Sequence, residues 1–323
     1  MRPQLLDMLA CPQCRQPLAL QAPVRGEHDE IESGSLLCPR GHAFPIVAGI
    51  PRFVDEGSGV NVDRVRESFS REWRHHQVGD RTWYLDLETR VRTAFVEVLG
   101  IPRGELATKT VVDAGCGNGS QSVAFTEFVK DVIALDLSTG LELGYQFRKQ
   151  WPGGRADGVH FVQADVARPP LPPRSVDVVY SFGVLHHTPD TRACFDALVP
   201  LLRPGGTCYV WVYRYEPFWT PLIRLLRAVT TRIPVGLFDR LTRLLAPPFM
   251  LFTIMANASG VRSYPRISRR EAAVALMDIF AAPYAHHHAP EEVREWFTAA
   301  GFTDVRHCNE ARRGFGTVGR LAA

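Results

Sequence analysis

Lysine is nearly absent from this 323-residue chain, occurring only at positions 109, 130 and 149, so that arginine carries almost all of the positive charge. We read that bias as compositional. The net charge of +3 is too small to imply a nucleic-acid partner by itself. Met1 to Ala10 lacks a basic region followed by a long apolar stretch, so no signal peptide is expected. The expected setting is a reducing cytoplasm, where the seven cysteines form no disulfides. The longest apolar run, Leu244 to Ala256, is short for a membrane span and contains Pro247 and Pro248, so no transmembrane segment is expected. What is present is 46% hydrophobic residues, at a length that suits one large α/β domain with additions or two domains.

The cysteines are unevenly placed. Cys11-Pro-Gln-Cys14 is a closely spaced thiol pair on a turn, and Cys38-Pro-Arg-Gly-His42 supplies a thiol and an imidazole after an intervening loop. Zinc takes four N or S ligands in a tetrahedron, and a Cys-Pro-X-Cys turn aims two sulfurs at one point. The expectation is a structural zinc on Cys11, Cys14, Cys38 and His42, within a segment whose core is too small to stand without such a staple. Four protein ligands leave no open position, which points to a structural or recognition role rather than a catalytic one. Asp55 to Asn61 is polar and glycine-rich, as at a domain boundary. Beyond it Val65, Phe69 and Trp73 recur on one helical face, and Val91, Phe95, Val98 and Leu99 form a second stripe.

From Thr110 the pattern changes to short apolar runs alternating with helical segments. Val111-Val112-Asp113-Ala114-Gly115-Cys116-Gly117-Asn118-Gly119 reads as a buried strand opening into a loop that can pass close to a nucleotide-like ligand. The helix from Ser120 would aim its N–H groups at a carboxylate. A second strand, Val132 to Leu135, ends in Asp136, where an open parallel sheet places the acid that accepts from ribose hydroxyls. Val159 to Val162 leads to Asp165 and Val166, placed for an adenine ring. Val176 to Phe182 runs into Val184-Leu185-His186-His187, and Arg203-Pro204-Gly205-Gly206 turns into a fifth strand. Such alternation predicts a parallel sheet with ligands at the carboxyl ends of its strands.

These motifs, in this order, resemble class I S-adenosylmethionine methyltransferases of the type 11 group. The loop spacing Gly-X-Gly-X-Gly differs from the Gly-X-Gly-X-X-Gly of nicotinamide dehydrogenases. Residues 4 to 54 resemble the zinc-ribbon module that activates RNA and protein methyltransferases, although the Cys-X-X-X-His form is closer to the zinc domain of certain rRNA guanine methyltransferases. The resemblance implies a seven-stranded Rossmann-like sheet with helices on both faces. Its last two strands, near 301–305 and 315–319, would pair antiparallel at one edge. The domains would be 1–54, linker and helices 55–108, and 109–323 with a helical cap inserted at about 213–262.

The implied cofactor is S-adenosyl-L-methionine, with Asp113, Gly115, Cys116, Gly117, Gly119, Asp136, Leu137, Asp165, Val166 and Ser181 around it. His187, His186 and His288 are the expected catalytic residues, and Phe69 with Trp73 would belong to a lid. Adjacent side chains diverge, so His286-His287-His288 is not expected to share a metal. The cap is apolar and holds Arg214, Arg224, Arg227, Arg232, Arg240 and Arg243 against only Glu216 and Asp239. It reads as a helical cap, with peripheral membrane contact as the sharper alternative. Three functions stay open: methyl transfer to a small-molecule acceptor (a specialised metabolite or lipid-like compound), RNA methylation with the zinc module gripping the substrate, and a non-catalytic scaffold. About equal numbers of acids and bases in residues 1 to 54 weigh against RNA, and the acids at 113, 136 and 165 weigh against the scaffold.

Overall fold

A computed structural model describes residues 1–54, 60–75, 86–151, 156–260, 267–311 and 313–323. Most of the polar linker and the distal end of the cap lie outside the described residues. The first fifty residues form an antiparallel sheet of β1 (Ala19–Arg25), β2 (Ile31–Leu37), β3 (Ala43–Val47) and β4 (Ile50–Pro51), in that spatial order. Ile31, Leu36, Ile46 and Ile50 are its deeply buried apolar residues, and Leu5 of the preceding helical turn is buried with them.

The large sheet has seven strands: β5 (Thr110–Ala114), β6 (Asp131–Asp136), β7 (Val159–Gln163), β8 (Val176–Phe182), β9 (Leu202–Tyr213), β10 (Phe302–Ala311) and β11 (Gly314–Leu321). Their spatial order is β10-β11-β9-β8-β5-β6-β7. β5 to β9 are parallel, while β10 and β11 are antiparallel to each other and β11 is antiparallel to β9. Both faces of the parallel part are covered, which is why Val111-Val112, Val132 to Leu135 and Val178-Val179 are continuous apolar runs rather than alternating ones. From β5 the chain steps outward to β6 and β7, then returns to the other side of β5 as β8. The reversal leaves a crevice at the carboxyl ends of β5 and β8, where open sheets bind ligands.

The zinc module is built onto this sheet rather than tethered beside it. The Phe53 N–H donates to the Gln163 carbonyl at 2.8 Å, so the chain after β4 pairs with the outer edge of β7. Arg52 reaches the Gln163 side chain at 3.0 Å and Glu142 at 2.8 Å. Buried Arg148 bonds both oxygens of Glu30, at 2.7 and 2.6 Å. Leu9, Phe44 and Phe53 share one core with Val162, Ala164 and Leu171. An unpaired strand edge is thereby covered.

Over the crevice lies the helix Val60–Arg74. The cap consists of helices Trp219–Thr230 and Val235–Ala258, packed against helix Arg269–Phe280. Pro247 and Pro248 do not divide the second cap helix, which runs unbroken for 24 residues. Proline at 247 leaves the Arg243 carbonyl without its helical donor, and Arg269 Nη2 donates to that carbonyl instead at 3.1 Å. By length and composition this helix is long and apolar enough to cross a membrane, a length that the run Leu244 to Ala256 alone does not reach.

Candidate functional site

The metal ligands come together as the spacing requires. Cys11 Sγ lies 3.4 Å and Cys38 Sγ 3.2 Å from His42 Nδ1, Cys14 Sγ lies 3.7 Å from Cys38 Sγ, and all four ligand atoms fall within 4.8 Å of one another. Bonds of about 2.3 Å to sulfur and about 2.0 Å to nitrogen give tetrahedral edges of about 3.5–3.8 Å, so the donor set fits zinc. Gly41 explains why the ligand is His42. Its φ of +87° turns the chain, its N–H donates to the Cys38 carbonyl at 2.9 Å, and the Cys38 N–H donates back to the His42 carbonyl at 2.9 Å. Among the described residues this is the one cluster with metal-ligand geometry, and the His286–His288 run forms none.

The crevice is a cleft between the strand ends and the helix Val60–Arg74. Gly115, Cys116 and Gly117 line it from the β5 loop, Asp136, Leu137 and Ser138 from the end of β6, and Asp165 with Val166 from the end of β7. Gly115 and Gly117 have φ of +90° and +60°; a Cβ at the first would strike Val184, and at the second the Trp73 ring. Only glycine meets both demands there. Asp136 is 9% exposed, with Oδ2 accepting from Gly117 N–H at 2.7 Å and Oδ1 from the Ser138 N–H and hydroxyl at 2.8 and 2.6 Å. Burial raises its pKa against these hydrogen bonds. Asp113 lies deeper, accepts from Ser122 Oγ at 2.5 Å, and is pushed up to about 7, chiefly by burial. Asp165 Oδ1 accepts from the Ala167 N–H at 2.9 Å. This glycine cradle with carboxylates at the ends of β6 and β7 suits a cationic, ribose- and adenine-bearing cofactor.

Two of the expected cofactor residues sit off the cleft wall. Ser181 is fully buried and donates to the Ala114 carbonyl at 2.9 Å, tying β8 to β5. Gly119, at φ +70°, lets the loop pack against Phe161. They shape the loop from behind.

On the acceptor side the histidines separate into different roles. His187 lines the cleft. Its Nδ1 lies 2.9 Å from the Tyr284 carbonyl, which only accepts, so Nδ1 donates to it and Nε2 is left for other contacts. That Nε2 makes no hydrogen bond and lies 3.4 Å from Asp278 Oδ1. Asp278 Oδ2 in turn accepts from the Tyr213 hydroxyl at 2.5 Å. His186 is fully buried behind, its ring 3.8 Å from that of Tyr213, and burial drives its pKa well down. His288 is placed away from the cleft: Nδ1 meets Glu292 at 2.9 Å, Nε2 meets Thr191 Oγ1 at 3.1 Å, and its ring packs on Trp296. Both nitrogens are occupied, which suits a strut.

The overlying helix brings Phe69, Glu72 and Trp73 into the cleft. Phe69 packs edge-on to His187 at 5.1 Å, as a lid residue would. Glu72, 3% exposed, is raised well above the usual carboxylate range by burial and by the charges of Asp278 and Asp136. Neither Glu72 nor Asp278 was singled out from sequence. The available signal was one acid in an otherwise apolar helical face, beside Trp73 in one case and within Ala272 to Phe280 in the other.

With the geometry described, likeness to known proteins adds independent support. Residues 112–210 match the methyltransferase domain family, and residues 2–49 match the Trm112p-like protein family. An uncharacterised methyltransferase of Mycobacterium tuberculosis is 29% identical over 42% of this chain and 64% of its own length. An uncharacterised Synechococcus protein is 33% identical over 34% of this chain and 26% of its own. This chain thus spans about a quarter to just under two thirds of these curated relatives. The demethylmenaquinone methyltransferase of Clavibacter sepedonicus is 30% identical over 68% of this chain and 78% of its own length. That last match, together with the motifs above, shows that the chain belongs to the class I S-adenosylmethionine-dependent methyltransferases and carries a Trm112p-like zinc module docked on its sheet.

Proposed function

We propose that the protein transfers a methyl group to a small-molecule acceptor bound between the helix Val60–Arg74 and the His187–Asp278–Tyr284 wall. The observation that carries this reading is the charge of the cleft. Among the described residues, Arg66 and Arg90 are the only cations of a lining that also holds Glu72, Asp113, Asp136, Asp165 and Asp278, so it offers no basic track for a phosphate backbone. Two relatives are named for small-molecule acceptors, demethylmenaquinone and phosphoethanolamine.

The cofactor supplies a methyl group already activated by its sulfonium, so the protein's share is alignment and proton handling. Asp136 is assigned to the ribose, Asp165 and Val166 to the adenine, and Gly115 to Gly117 to the methionyl part. Asp113 supports the loop from below. Phe69 and Trp73 exclude water from above. His187 is the general base: Nε2 takes the acceptor's proton, Nδ1 stays fixed on the Tyr284 carbonyl, and Asp278 faces the resulting imidazolium. The test is transfer of labelled methyl from the cofactor into a small-molecule extract and, separately, into total RNA. Label should enter the small-molecule fraction, and His187→Gln should lower that transfer at unchanged cofactor affinity. Label confined to RNA would overturn the reading.

A further inference from the structure

The cap helices are amphipathic the wrong way round. On Trp219–Thr230 the outward residues are Leu222, Leu225, Leu226 and Val229, with Leu225 69% and Val229 65% exposed, while the buried residues are Thr220 and Arg227. Arg227 spends its charge on backbone carbonyls, those of Ile279 and Ala282. On Val235–Ala258 the outward stripe holds Leu237, Leu244, Leu251, Ile254 and Met255, while the buried side carries Val235 and Phe238 at its start and then Asp239, Thr242, Ala246, Thr253 and Ala256. A helix on a water-facing surface shows the opposite pattern. Among the described residues, every exposed large apolar side chain except Val24 and Val47 lies between Tyr215 and Met255. A concentrated patch of this kind marks an interaction surface.

The charges around the patch have one sign. Every exposed charged residue between Tyr215 and Gly260 is an arginine: Arg224, Arg232, Arg240 and Arg243. The acids of this segment are withdrawn, Asp239 being 7% exposed and Glu216 half-buried. A symmetric contact with a second copy would press this arginine-only face against itself. An anionic lipid surface instead offers acyl chains to the leucines and phosphates to the guanidinium groups. The long helix lies along such a surface, because the protein holds its other side. Ala246 is fully buried on Ala272 and Ala273, and Asp239 Oδ1 bonds His75 Nε2 at 2.7 Å.

We infer that the cap is a monotopic docking face for an anionic bilayer, seated through the outward leucines and the exposed arginines. The inference rests on the cap alone and not on the identity of the methyl acceptor.

The test is sedimentation of the full chain with phosphatidylcholine vesicles, with and without phosphatidylglycerol. The chain should bind the anionic vesicles and lose affinity with added salt. The double substitution Leu225→Ser with Leu251→Ser should weaken binding by about 100-fold. Arg240→Gln should weaken it by about fivefold and leave the circular-dichroism melt unchanged, so the outcome does not depend on the leucine variant folding. No binding to anionic vesicles, equal binding to uncharged ones, or unchanged binding by Arg240→Gln would each overturn the inference. So would sedimentation velocity showing a dimer that Leu225→Ser dissociates.

Discussion

Asp113→Asn isolates the cost of burying one carboxylate under the cofactor loop. Asp113 is 3% exposed and held up to about 7, against an ordinary 3.8, mainly by desolvation. Below about pH 4 both the folded and unfolded chains carry the proton, and the site contributes nothing to the pH dependence. Between pH 4 and 7 the unfolded chain has released it and the folded chain still holds it, so stability falls as pH rises. A three-unit shift amounts to about 4 kcal/mol lost across that window, with no further loss above it. Asparagine mimics the protonated acid in shape and keeps an oxygen for the Ser122 hydroxyl. Urea unfolding of both proteins, each measured at pH 4 and at pH 8, gives the comparison. The variant's stability relative to wild type should improve by about 4 kcal/mol from the lower to the higher pH, and loss of zinc in acid affects both proteins alike. A relative stability flat to within about 1 kcal/mol would refute the reasoning, because it would mean that the buried acid titrates as if in water.

Asp136→Ala should weaken S-adenosylmethionine binding in calorimetry by at least about tenfold, since a bidentate carboxylate to two hydroxyls exceeds one neutral hydrogen bond; equal affinity would remove Asp136 from the ribose. Metal analysis should find one zinc per chain, and Cys38→Ser should lower occupancy and the melting temperature together. Arg148→Met, which leaves Glu30 only Tyr145 at 3.1 Å and Arg2 at 3.3 Å, should cost about 2 kcal/mol in urea unfolding; an effect below about 0.5 kcal/mol would show that the module is only loosely docked.

The parallel sheet was legible because β5 to β9 are buried on both faces and the apolar runs of β5 to β8 lead into acids or glycines. The zinc ligands were legible because chemistry fixes their spacing. The antiparallel edge was placed by resemblance, although β10 and β11 extend further than expected, to Ala311 and Leu321. What sequence hid were juxtapositions between distant segments. Glu72 and Asp278 meet across the cleft from helices that the sheet brings together, and no local pattern marks either. His186 and His187 are indistinguishable in sequence, yet one ring is sealed behind Tyr213 and the other faces the cleft, a difference decided by the single turn at Leu185–His187. The carbonyl that Pro247 leaves free is met by Arg269, a partner that a local reading of prolines cannot include.

The seam between Phe53 and Gln163 changes what metal starvation would look like. The zinc module is the hem of the large sheet, and β7 beneath it is a short, fully buried strand. Stripping the metal therefore does more than loosen an appendage: it bares a ready-made edge for another chain to pair with. Loss of zinc would then favour self-association, and removal of residues 1 to 54 would produce the same raw edge permanently.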